Sequence, residues 1–476
     1  MFPAPPPRIS PRSTSPGAPI QWTGSPRGLV TFVARCATLG PMVLGFTVLG
    51  PSAPAHAQEA LVFSGGMVLD GYESVPIHDG AVVVEGGRIT WVGPADDVQI
   101  PNGARVIDTS GRTIMPGLID AHAHVDLIGH GDYDRFYEFI GGTTRLKEMA
   151  EISMGQLVRA GVTTAVDLGA PLEILEVRDR VRRGEIPGPR LLASGAWITR
   201  ITLAGVPLEY QNVIESPEEA AATAERLIDA GSDVIKLWSG LTEDDMRAVV
   251  EVAHSRGIRV HAHLYEPEAI WNALRADVDV FQHVGSGGNP PYTSDLLQAI
   301  AHRAVPVVQT ISHRIWIYPA TIAFPERLKD PRLASDFPPD VYEEVQRSFE
   351  DFTRLGYFRT TPRQIRNSAV AARQFIDAGA VIGVGTDAAS PMNFHTQAMW
   401  REMEALIESG MTPLQVISAA TKTNAEILGL GGETGTIEEG KAADILVVDG
   451  NPLADIRALD RVRWVVANGR LIEPRR

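Results

Sequence analysis

From about residue 150 the apolar positions recur as one unit. An amphipathic helical stripe leads into a small residue and then a short, unbroken apolar run. The unit reads "LVRAGVTTAVDLG", "LIDAGSDVIKLW", "AHSRGIRVHAHL", "LRADVDVFQHV", "IAHRAVPVVQT" and "FIDAGAVIGVGTDA". Glycine after a helical stripe takes the left-handed conformation that ends the helix, and the strand then begins at once. The strands are β-branched and apolar almost throughout, as expected where both faces of a parallel sheet are buried. With "TIMPGLID" and "RLLASGAWI" the count reaches eight strands. Eight βα units in this span predict an α/β fold, a (β/α)8 TIM barrel over residues 113–430.

The two ends of the chain follow a different period. "GGMVLDGYESVPIHDGAVVVEGGRITWVG" near the start, and "GTIEEGKAADILVVDGNP" and "RVRWVVANGRLI" near the end, alternate over short strands with Gly, Asn and Asp turns. Neither piece is large enough to enclose a core alone. They predict one small β-sandwich domain assembled from residues 58–112 and 431–476.

Residues 1–57 match neither pattern. They hold four arginines and no acidic residue, followed by the apolar run "ATLGPMVLGFTVL" and then "GPSAPAHAQEA". A basic segment, a short apolar segment and small residues at −3 and −1 form the pattern of a cleaved export signal. The expected cut lies between Ala57 and Gln58, which places the mature protein in the periplasm or outside the cell. The one cysteine, Cys36, falls inside this leader, so the mature chain would have no disulfide, thiolate metal site or cysteine nucleophile. Over the whole chain, 44% hydrophobic and 21% charged residues are ordinary for a globular protein. No stretch of the mature part is suited to span a bilayer. The net charge of −15 argues against a nucleic-acid partner. Self-assembly into a homo-oligomer stays open.

Chemistry enters at the strand ends, which in such a barrel face the active site. They carry His122 and His124, Asp167, Lys236, His261 and His263, His283, and Asp387. Residues i and i+2 of a strand point the same way, so His122 and His124 can lean over one point. Each residue alone has a bland reading: a hydrogen-bonded histidine, a snorkelling lysine, an aspartate capping a helix. Ligand-type residues at five separate strand ends are hard to attribute to packing. Imidazole and carboxylate are ordinary ligands of zinc or a similar divalent ion.

These motifs, with "VIDTSGRTIMPGLIDAHAHV", "AATKTNAEILGL" and "GTIEEGKAADILVVDGNP", resemble those of the amidohydrolase superfamily of metal-dependent hydrolases. The prolidase and imidazolonepropionase-like branch is the most similar. The resemblance implies two divalent ions, zinc first among them. His122, His124 and Asp387 would hold the buried ion, and His261 and His283 the more exposed one. Lys236 would bridge them as a carbamate, and an ammonium beside two dications is in any case untenable. A bridging hydroxide would attack an amide, peptide or N-acyl amino acid, with Asp387 accepting the water's proton and passing it to the departing amine. His263, Tyr265, Trp238, His313 and His395 are candidate substrate contacts. The chain departs from the branch at strand two, where Val166 replaces an arginine, and after strand three, where "TRITLAGVPLEYQ" replaces a Gly-rich, His-containing loop. Both places shape the substrate pocket.

Two other readings remain. A mononuclear cyclic-amide hydrolase or deaminase of the same fold tends to carry His-x-x-Glu at strand five, where Leu264 stands here, and leaves Lys236 without a purpose. A non-catalytic binding protein would be expected to have a broken ligand set, whereas every ligand position is filled.

Overall fold

The computed structural model describes residues 59–284, 291–351 and 356–472. The leader, Cys36 and the Ala57–Gln58 junction lie outside the described residues. The first strands, β1 (Leu61–Val68), β2 (Ile77–Glu85), β3 (Arg88–Pro94), β4 (Arg105–Asp108) and β5 (Arg112–Pro116), belong to one sheet with three strands from the other end of the chain. Turns at Gly86–Gly87 and Asn468–Gly469, all at positive φ, close two of its hairpins as the sequence pattern requires.

The run "TIMPGLID" does not form a single strand. It divides at Gly117, giving β5 in the end sheet and β6 (Leu118–Ala123) in a parallel one. A Cβ at Gly117 would lie 2.2 Å from the Thr163 side chain, so only glycine lets the chain pass so close as it changes sheets.

β6 pairs in parallel with β7 (Val162–Asp167), and β7 with β8 (Arg190–Ala193). The run "RLLASGAWI" also divides, at Gly195 (φ 69°), and β9 (Trp197–Thr199) continues in a neighbouring sheet. That sheet comprises β9, β10 (Gln211–Val213), β11 (Val234–Leu237), β12 (Arg259–His263), β13 (Val280–Gln282), β14 (Val307–Gln309) and β15 (Ile382–Val384). Its order is β10-β9-β11-β12-β13-β14-β15, with all pairs parallel. Helices such as Pro217–Asp229 and Glu243–Ser255 alternate with the strands and bury leucine, valine and alanine against them.

The end of β15 reaches the end of β6. The Thr386 and Asp387 amides donate to the His122 carbonyl at 3.0 and 2.9 Å, and Ala123 and Ala388 form a parallel bridge. Asn424, within "AATKTNAEILGL", fastens the same seam lower down. Its amide donates to the Ile119 and Val384 carbonyls at 2.6 and 2.7 Å, and its oxygen accepts from the Val384 N–H at 3.0 Å. In the end sheet, β16 (Ile445–Asp449) pairs with β5, and β17 (Val462–Ala467) and β18 (Arg470–Ile472) extend it outward. The two ends of the chain thus share one hydrogen-bonded sheet, with its own small core around Phe63, Val82, Ile114 and Val447.

Candidate metal centre

The ligand-type residues predicted at the strand ends converge. His122 is the fifth residue of β6, and His124 follows that strand by one; Lys236 is third in β11, and its Cα pairs with that of His261 in β12. His283 and Asp387 stand just beyond β13 and β15, both at positive φ, 59° and 53°. The Asp387 carboxylate is the hub. Its oxygens lie 3.2 Å from His124 Nε2, 3.7 Å from His122 Nε2, 3.8 Å from His283 Nδ1 and 3.5 Å from His313 Nε2. The His122 and His283 ring centres are 4.0 Å apart, and one donor atom from each of His122, His283 and Asp387 lies within 4.8 Å of the other two.

Neighbouring buried groups fix this arrangement. Asp120 Oδ1 accepts from the His122 and Thr386 N–H groups at 3.1 Å each, and its Oδ2 from the Thr386 hydroxyl at 2.6 Å. Burial pushes the Asp120 carboxyl up to about 7. A Cβ at Gly385 would sit 2.6 Å from that of His122, which accounts for the glycine of "GTDA". Gln282 reaches two rings, with Oε1 2.7 Å from His122 Nδ1 and Nε2 2.9 Å from His261 Nδ1. The first contact puts the His122 proton on Nδ1 and leaves the Nε2 lone pair facing the cluster.

The donor set suits a divalent cation. His122 Nε2, His261 Nε2 and Lys236 Nζ are buried with no hydrogen-bond partner, and each such orphan costs about 1–3 kcal/mol unless something answers it. The rings are held in the neutral form that a ligand needs. Burial, followed by the positive charge of Lys236, depresses His122 and His263 far below the ordinary imidazole range and His261 to about 3. Burial and then His122 do the same for His283. His124 moves the other way, because the hydrogen bond and charge of Asp387 outweigh its burial. Burial would raise Asp387, but the His124 bond and the surrounding histidines hold it well below the carboxylate range. Burial lowers Lys236 to about 7 against the pull of Asp387, so near neutral pH a large share of this amine is uncharged and nucleophilic.

A cavity of about 760 Å³ opens above the centre. Of the expected substrate contacts, His263, Tyr265, Trp238 and His313 line it. Trp197, Trp238 and His263 form a stacked wall, with ring centres 4.7 and 4.1 Å apart, and Tyr265 meets His263 edge-on at 4.4 Å. His395 is buried at the start of the helix His395–Glu408 and is not among the lining residues. The loop after β9, part of "TRITLAGVPLEYQ", contributes Leu203–Val206 and is pinned by the buried Gln211 side chain, which bonds to Leu203 and Val206. Asp167 turns its carboxylate to the Val125, Gly169 and Ala170 N–H groups and organises two loops. Lining residues that sequence reasoning passed over are Trp197, Tyr210, Asp126 and Arg314. The last two stand beside recognised histidines, in "HAHVD" and "SHR".

A parallel α/β sheet with histidines, lysine and aspartate gathered at its strand ends defines a metal-dependent hydrolase. The model of the amidohydrolase family matches residues 113–472, and this chain belongs to that family, whose members act on carbon–nitrogen bonds. A short stretch, residues 80–99, also matches the imidazolonepropionase-like composite domain of bacteria. The chain is 23% identical over 424 residues to an imidazolonepropionase of Thermoplasma volcanium, covering 83% of this chain and 91% of that protein. It is 24% identical over 421 residues to a 5-methylthioadenosine/S-adenosylhomocysteine deaminase of Symbiobacterium thermophilum, covering 82% and 85%. Among solved structures, a Bifidobacterium longum protein provisionally described as a prolidase aligns with a TM-score of 0.70 at 29% identity, covering 88% of this chain and 97% of that one.

Proposed function

We propose that this chain is an exported, metal-dependent amidohydrolase that cleaves a peptide or N-acyl amino acid amide at a centre of two divalent ions, zinc first among them. The observation that carries the reading is Lys236, fully buried beside His261 and without a hydrogen-bond partner. A mononuclear cyclic-amide hydrolase or deaminase has no use for such a lysine, and the residue three after His261 is the buried, apolar Leu264. His122, His124 and Asp387 would hold one ion, His261 and His283 the other, and Lys236, as a carbamate, both. The ions would supply Lewis acidity to the amide carbonyl and acidify a water.

The side chains of this protein do the rest. Asp387 takes the proton of the attacking water and delivers it to the leaving nitrogen, which would otherwise depart as an amide anion. His313, 3.5 Å from Asp387 and kept neutral by burial (about 3), presents an N–H or a lone pair at the cavity wall without adding charge. Arg314, whose Nη2 donates to the Tyr265 hydroxyl at 3.1 Å, offers a guanidinium and a phenol for the carboxylate of the leaving amino acid. The Trp197–Trp238–His263 wall excludes water along one side. The reading includes a closed (β/α)8 barrel, supported by the β15–β6 contacts, with the end sheet folded as a small sandwich. Export rests on the basic, apolar and Ala-x-Ala pattern ahead of Gln58.

The test is to load the protein with zinc, count the bound metal and incubate it with a library of dipeptides, N-acyl amino acids, esters and cyclic amidines, reading products by mass spectrometry. Two ions per chain and release of an amino acid from an amide are expected. One ion with turnover confined to cyclic amidines or amino-purines would replace this reading with the deaminase one. A loaded protein inert to the whole set would favour a binding protein.

A further inference from the structure

A belt of aromatic rings runs along the cavity and passes the metal centre. Tyr137, Tyr210, Trp197, Trp238, His263 and Tyr265 all line the cavity, and in that order each ring neighbours the next. Successive ring centres lie 5.2, 6.5, 4.7, 4.1 and 4.4 Å apart. The rings come from separate parts of the chain: a helix after β6, β9, the turn before β10, the end of β11, and β12 with the residues that follow it. Four of them, Tyr137, Trp238, His263 and Tyr265, are only half-buried, so enclosure in the core does not account for the series.

Distances tie the middle of the belt to the reacting groups. The Trp238 ring centre is 5.8 Å from Lys236 Nζ, and the His263 ring centre is 4.9 Å from that of His283. Gly169 stands between Trp197 and His124, since a Cβ there would come within 2.7 Å of the indole and 3.5 Å of His124 Nδ1. A group resting on these rings is therefore within a few bonds of an amide held at the centre.

The stacking also decides what kind of group fits. Trp238 directly follows β11, which lies between β9 and β12, so Trp197 and His263 flank it from opposite sides. Their planes are within 26° and 24° of its own. Both faces of the Trp238 indole are thus taken, and it meets the cavity with an edge. A ring edge carries the positive end of the aromatic quadrupole, which attracts the face of another ring and not a cation. A saturated ring offers no such face and gains from burial alone.

We infer that the substrate carries a neutral aromatic ring close to its scissile amide, received by the belt at Trp197 and Trp238. This rests on the amide-hydrolase reading and narrows it from amides in general to aromatic ones. The ring has two sources, the acyl half or the leaving amino acid, and the assay separates them.

N-benzoylglycine is compared with N-cyclohexanecarbonylglycine, and N-acetylphenylalanine with N-acetylcyclohexylalanine. The saturated ring is at least as bulky and apolar, so volume and burial alone predict no preference for the aromatic member. In the zinc-loaded enzyme at least one aromatic member should exceed its saturated partner about fivefold or more in kcat/KM. Preference in the first pair places the ring on the acyl half, and preference in the second on the leaving half. In Trp238→Leu the winning ratio should fall close to one, with Trp197→Leu as a second variant should the first fail to fold. A merely structural role would slow both members alike and leave the ratio where it was. The same four compounds built as ketones, with CH2 in place of the amide N–H, are titrated calorimetrically into the zinc-loaded protein. If none of the four amides is cleaved, the amide-hydrolase reading fails, while about fivefold tighter binding of an aromatic ketone still upholds the belt. Equal binding within both pairs, or a ratio unchanged in both variants, overturns it.

Discussion

At the scale of single residues, Lys236 separates the readings most sharply. Its amine is buried, unpartnered and lowered to about 7, the state in which carbon dioxide capture is feasible. Lys236→Ala is expected to lose about a thousandfold or more in activity and to drop from two bound ions to about one, since His122, His124 and Asp387 remain. Acetate or propionate should restore part of the activity by supplying an anionic bridge. Lys236→Arg should not, because guanidinium stays charged. Full activity and an unchanged metal count in Lys236→Ala would contradict the two-ion centre. The sequence already singled out the histidines, Lys236 and Asp387, because ligand-type residues stand out in apolar strand ends. Asp126, Arg314 and Gln282 were hidden for the opposite reason. Acids, arginines and glutamines beside loops are common, and only the cavity and the ring contacts show what these three face.

At the scale of elements, helix stripes and apolar runs marked the strands correctly but not where they break. "TIMPGLID" and "RLLASGAWI" look continuous, since a buried glycine within an apolar run has no periodicity to disturb. Crossing from one sheet to another is decided by space, as the 2.2 Å approach at Gly117 shows, and hydropathy carries no record of space. The motif "AATKTNAEILGL" was recognisable without any evident task. Asn424 supplies one: it satisfies three main-chain groups between β6 and β15, the strands that lead to His122 and Asp387. Asn424→Ala orphans those groups and should cost about 3 kcal/mol, read as a lower denaturant midpoint of the metal-free protein, together with weaker metal binding. A loss below about 1 kcal/mol would mean that the seam is held elsewhere.

At the scale of the whole molecule, stability should depend on pH through Glu402. This fully buried carboxyl accepts from the Ile311 and Ser312 N–H groups at 2.8 and 2.7 Å, holding the turn before His313, and burial raises it to about 7. A carboxyl whose folded value is raised favours the folded state fully below its ordinary value near 4.5, and that advantage is lost as the pH climbs to 7. Metal-free protein should therefore become easier to unfold with denaturant between about pH 4.5 and 7, and Glu402→Gln should flatten that slope even though it sacrifices one acceptor. An identical slope in the variant would assign the effect to other groups. The end sheet has a further consequence, in time rather than energy. β5 sits between β1 and β16, so strands from opposite ends of the chain must meet before that sheet is whole. A ribosome that has made everything up to residue 440 has still not released the strands that cover β5, and contacts so distant in sequence form slowly. The nascent chain consequently spends much of its synthesis with one flank of β5 bare, open to chaperones or to threading through a pore, and becomes refractory to both only once β16 has docked.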